Sequence, residues 1–131
     1  MIEEIINIIR KNVEPDLIYI FGSYGTERYT SDSDIDVAFS IGKEVPKELM
    51  KKIWYSLVDE LRHEVDLIDI NNCGIPIKKE IMSKGKLIFA KEKGLHDKMK
   101  YRVYSLYGQY LEDTLVVKKK IKERGRVLCK K

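Results

Sequence analysis

Three carboxylates and one turn carry the chemistry that this sequence offers. Within Ser31-Asp32-Ser33-Asp34-Ile35-Asp36-Val37, polar and apolar residues alternate as in a strand. Side chains alternate across a strand, so Asp34 and Asp36 share one face while Ile35 and Val37 turn to the other. Two carboxylates that close repel each other unless a cation lies between them, and hard oxygen ligands favour Mg²⁺ or Mn²⁺. Asp66, in Glu64-Val65-Asp66-Leu67-Ile68-Asp69-Ile70, interrupts an otherwise apolar strand. A lone carboxylate there is costly without a partner such as a metal ion. Asp69 falls on the opposite face by parity, near the strand's end. Gly22-Ser23 directly follows the apolar run Leu17 to Phe21. A strand-to-turn junction of this kind exposes backbone N–H groups, and glycine lets a phosphate come close. Singly, each feature has an ordinary reading: a strand-ending turn, a solvated acidic strand edge, a solvent-facing aspartate. Their joint order and spacing is far more specific.

The elements that must position these residues are legible in the periodicity. Ile2, Ile5, Ile6 and Ile9 recur at helical spacing, predicting a helix over 2–12. Leu17 to Phe21 reads as a buried strand stopped by Gly22-Ser23, and Ile35 to Ile41 as a second strand ended by Gly42. Pro46 opens a helix with Leu49, Ile53, Leu57 and Leu61 on one stripe. Val65 to Ile70 is a third strand, Ile77 to Ser83 a short helix, and Leu87 to Ala90 a fourth strand. From Leu95 to Arg124 the pattern is helical, with Gly108 as a candidate kink and Gly125 as the expected stop. This order predicts a small α/β domain with helices packed on a sheet.

Ser23, ten intervening residues, Asp34-Ile35-Asp36, then a helix and a strand bearing Asp66: this arrangement resembles the nucleotidyltransferases of the DNA polymerase beta superfamily. The segments from Val65 to Ile70 and from Ile77 to Phe89 resemble the minimal nucleotidyltransferases of bacteria and archaea. Tyr110-Leu111-Glu112 and Ile121 to Gly125 are similar to that family's C-terminal helix. Within it the sequence is most similar to the MntA-type antitoxins of HEPN/MNT toxin–antitoxin pairs.

The resemblance implies a nucleotidyltransferase fold, a small mixed α/β (α+β) sheet flanked by helices, with a long C-terminal helix. It implies ATP as substrate, two Mg²⁺ ions (Mn²⁺ would also serve), and a HEPN-domain RNase toxin as partner. Two metals about 3.5–4 Å apart can clamp the attacking and the leaving oxygens. Asp34 and Asp36 would hold both ions, with Asp36 as the bridge. Asp66 would hold the catalytic ion alone and help deprotonate the attacking hydroxyl. Gly22 and Ser23 would grip the β- and γ-phosphates. The family commonly has a basic residue and a glycine where Thr26 and Glu27 stand here, and Arg28 would supply the missing charge. The expected reaction is transfer of AMP to a toxin tyrosine, blocking RNA cleavage. Only about 40 residues follow the fourth strand, so the acceptor is expected to bring its own binding surface. The alternatives are an antibiotic-type small-molecule nucleotidyltransferase acting as a dimer, and a catalytically degenerate partner-binding module.

Composition narrows the rest. The chain has 131 residues, 44% of them apolar, which fits one folded domain over 1–131 with a helical extension from about 95. The net charge of +4 first suggests nucleic acid. However, residues 118–131 hold eight lysines and arginines against Glu123 alone, so the first 117 residues carry −3. A basic tail on an acidic body with little aromatic interleaving does not read as a nucleic-acid binder; it reads as a solvated end or a surface for an acidic partner. No apolar run approaches the roughly 20 residues of a membrane span. The acidic start, Met1-Ile2-Glu3-Glu4-Ile5, is unlike an export signal. Cys73 and Cys129 lie far apart with no zinc spacing, which points to a reducing cytoplasm. Tyr101, Tyr104, Tyr107 and Tyr110 sweep about half a helix, so some must pack and some must face outward. His63 and His96 carry no expected role, and Trp54 is expected to be a partly buried packing residue.

Overall fold

The computed structural model describes residues 1–21 and 34–128, the stretch 116–128 as backbone. The chain order is α1 (Ile2–Asn12), β1 (Leu17–Phe21), β2 (Ile35–Ser40), α2 (Lys47–Leu61), β3 (Val65–Asp69), a 3₁₀ turn (Ile70–Asn72), α3 (Ile75–Lys84), β4 (Lys86–Ala90) and α4 (Leu95–Leu128). The strands form one mixed sheet in the order β3-β2-β1-β4. β1 is antiparallel to both its neighbours, while β2 and β3 run parallel. A parallel pair needs a crossover, and α2 provides it.

Alternation along the strands divides the core in two. Ile18, Ile20, Val37 and Phe39 face one way and pack with Ile5, Ile8 and Ile9 of α1 and Ile53, Leu57 and Leu61 of α2. Leu17, Tyr19 and Ala38 face the other way and pack with Ile81 and Met82 of α3 and Val103 of α4. Each helix is fixed by its ends. α1 has Glu3 and Glu4 in its first turn and Arg10 and Lys11 in its last, as the helix dipole favours. α2 ends at Arg62, held in the left-handed region at φ 54° with its N–H on the Val58 carbonyl. α3 opens with Pro76 in its first turn, so it begins at Ile75, two residues earlier than the periodicity shows. It stops at Gly85, where a Cβ would strike the Ile81 carbonyl oxygen.

Gly125 does not end the last helix. α4 runs through Gly108 and Gly125 to Leu128. A helical glycine costs only about 1 kcal/mol relative to alanine, and no proline follows to enforce a stop. Among the described residues no helix is long and apolar enough to cross a membrane.

Candidate active site

Asp34 precedes β2 directly, and Asp36 is its second residue. The strand is pinned by Ile35 and Val37, both fully buried in the first core cluster. That pinning turns Asp36 to the opposite face, the one covered by α3 and α4. Two neighbours flank it in register. Across the antiparallel pair lies Phe21, the last residue of β1. Across the parallel pair lies Asp66. Neighbouring strands stand about 4.8 Å apart, so the two carboxylates meet side by side. Val65 and Leu67 hold β3 against the first cluster and leave Asp66 turned outward and exposed.

The electrostatics record the crowding. Asp36, half-buried, is pushed up to about 6, first by desolvation, then by the charges of Asp66 and Asp34, and by a side-chain hydrogen bond with Asp66. A carboxyl joined to a carboxylate in this way must share a proton. Hard oxygen donors forced together in this fashion suit a divalent cation. Among the described residues no three acidic, histidine or cysteine side chains already converge as a ligand cage. Asp34, exposed and bordering the undescribed stretch 22–33, adds its charge to that of Asp66 at Asp36. Gly22, Ser23, Thr26, Glu27 and Arg28 lie outside the described residues; the chain enters that stretch from Phe21, level with Asp36.

Other polar groups take structural parts that the sequence does not disclose. Asp69, 6% exposed, ends β3 and accepts the N–H groups of Val45 at 2.7 Å and Asn71 at 3.0 Å. It therefore ties the α2 entry and the 3₁₀ turn to the sheet, on the face opposite Asp66. Trp54 is 45% exposed, and its indole N–H donates to the Val65 carbonyl on the outer side of β3. His96, without expected role, places Nδ1 2.7 Å from the hydroxyl of fully buried Tyr19. These partners are separated by up to 77 positions, so no local pattern discloses them. A cavity of about 210 Å³ among Leu17, Ser40, Asn71, Lys98 and Arg102 lies at the other end of the strands and shares no residue with the carboxylates.

Residues 3–94 match the family model described as polymerase beta, nucleotidyltransferase. The protein adenylyltransferase MntA of Shewanella oneidensis is 28% identical over 87 residues, 66% of this chain and 63% of that protein. The chain thus matches under two thirds of that relative's length. A chain of a toxin–antitoxin crystal structure with AMP-PNP superposes with a TM-score of 0.83 at 21% identity, covering 92% of this chain and 98% of that one. A chain of the complex between a tri-AMPylated Shewanella oneidensis HEPN toxin and its MNT antitoxin gives 0.78 at 21% identity, covering 92% and 95%. These likenesses show a shared fold, and the domain match covers well over half of the sequence. The chain belongs to the polymerase beta nucleotidyltransferase family.

Proposed function

We propose that this chain is a protein adenylyltransferase that acts as an antitoxin, moving AMP from ATP to a tyrosine hydroxyl of a HEPN-domain RNase toxin and so silencing it. The observation that carries the reading is the Asp36–Asp66 pair, register partners on parallel strands in a chain of this family. The relatives supply the acceptor class. One is a protein adenylyltransferase, and one solved complex contains a tri-AMPylated HEPN toxin.

The donor set fits a divalent metal, because three hard carboxylates stand near one another and Asp36 already bears the strain of its neighbours' charge. Asp34 and Asp36 would hold two Mg²⁺ ions and Asp66 one of them. When bound, the ions supply charge neutralisation at the transferring phosphate and its leaving group. The chain's own residues position and deprotonate. Asp66 accepts the proton of the acceptor hydroxyl. The freed oxygen attacks the α-phosphorus, the bond from that phosphorus to the β-bridging oxygen breaks, and pyrophosphate leaves with the electron pair. Gly22 and Ser23, which directly follow Phe21 in the sequence, would grip the outer phosphates. Arg28 adds positive charge for the triphosphate.

The test is mass spectrometry of a HEPN partner after incubation with the chain, ATP and Mg²⁺. An AMP adduct on tyrosine is expected, and none with Asp36→Asn. An unmodified partner beside ATP-bound wild-type chain overturns the reading. Undiminished transfer by Asp36→Asn overturns the metal assignment alone.

A further inference from the structure

α4 carries more apolar surface than the body covers. Leu95, Met99 and Val103 pack inward against the second core cluster. On the outside, Tyr101, Tyr104, Leu111 and Leu115 are 78, 38, 42 and 65% exposed. At about 100° per residue these four and Gly108 fall within an arc of about 80°, roughly opposite the packed side. Their spacing is three, four, three, four, the seam by which one helix packs on another. Gly108 sits in mid-stripe, and a Cβ there would meet nothing within 4 Å, which leaves a hole for an incoming side chain.

We propose that this stripe is the docking face for an amphipathic helix of an acidic protein partner. That the partner is the protein receiving AMP rests on the function proposed above; the docking chemistry does not. Charge selects the partner. The same spacing continues to positions 118 and 122, both lysine, and the sequence there reads Lys118-Lys119-Lys120-Ile121-Lys122. Two copies of α4 side by side in parallel would set these lysines against themselves. In the antiparallel register that aligns Gly108 with Leu111, Lys122 would face Asp97 and Lys118 would face Tyr101, so an antiparallel second copy is the competing occupant that the test separates. Like charges across a helix pair oppose pairing. A helix with glutamate or aspartate at the end beside Lys118 and Lys122 removes that conflict and fills the same seam.

The test co-expresses the full chain with a HEPN partner and compares four forms: wild type, Leu111→Lys with Leu115→Lys, Lys118→Glu with Lys122→Glu, and Asp36→Asn. Both α4 variants are expected to weaken the complex by about tenfold or more, as loss of a central anchor does. They should keep the wild-type helical content and AMP-PNP binding. Asp36→Asn should keep the complex and lose AMP transfer. The charge variant alters no apolar seam residue and answers the same question if the double-lysine variant misfolds. Wild-type affinity in both α4 variants overturns the docking face. So does light scattering that finds a homodimer which Leu111→Lys with Leu115→Lys splits, because the stripe would then serve a second copy. A complex that forms through the stripe without AMP on the partner overturns the proposed function and leaves the docking standing. AMP transfer at the wild-type rate by both α4 variants does the reverse.

Discussion

Asp36 and Asp66 stand opposite each other as register partners on neighbouring parallel strands, and the charge of Asp66 helps to push the Asp36 carboxyl up to about 6. Burial first, and then the charge of Asp66, oppose the ionisation of Asp36 in the metal-free protein. A raised carboxyl pKa means that the fold prefers the protonated form. The stabilisation is therefore complete below 3.8, the unfolded value, and is lost as the pH rises through about 6. Thermal melts in chelator should show Asp36→Asn gaining on wild type across that window, with the gap constant above it. Saturating Mg²⁺ at neutral pH should close the gap from the wild-type side. A gap that ignores both pH and Mg²⁺ would refute the pairing.

The two carboxylates at the ends of β3 should separate cleanly by assay. Asp66→Asn leaves an exposed site intact and removes a charge that opposes Asp36, so its melting temperature in chelator stays at or above wild type while AMP transfer falls about a thousandfold, about 4 kcal/mol of barrier. Single-turnover rates beside melting curves check this.

Asp69→Ala should do the opposite. It strips the buried N–H groups of Val45 and Asn71 of their acceptor, at a cost of about 2–3 kcal/mol in stability. Asp69→Asn, keeping one acceptor oxygen, should recover part of that loss. Denaturant unfolding measures both.

The contact of Tyr19 with His96 fastens the centre of the sheet to the first turn of α4. Burial raises the Tyr19 hydroxyl far above its ordinary range, so it stays protonated and donates or accepts as the imidazole tautomer requires. Tyr19→Phe should cost about 1 kcal/mol. A double-mutant cycle with His96→Ala should return most of it as coupling energy.

What the sequence discloses here follows from how local each signal is. The placement of Asp36 and Asp66 is legible because strand alternation forces Ile35, Val37 and Val65 into the first core cluster and turns both carboxylates to the other face, while their roles stay with the proposal. The helices α1 and α2 are legible for the same reason. Asp69 differs from Asp66 by burial and by a hydrogen bond to a residue 24 positions away, which parity alone does not reveal. His96 acquires its partner only when α4 folds back on β1. Gly125 misleads as a stop because a glycine ends a helix only when the following chain gains by turning away. Gly22, Ser23 and Arg28 lie outside the described residues, so their part stays with the proposal.

Among the described residues, β3 has a strand on one side only. Asp66 therefore stands at the margin of the sheet and not in its middle. A margin can be approached laterally, so under the proposed function a bulky folded substrate would present its tyrosine there without prising strands apart. The same exposure would invite a stray strand to pair, and the Trp54 indole answers it by occupying the Val65 carbonyl. One border would thus serve as entrance for a side chain and as barrier to a backbone.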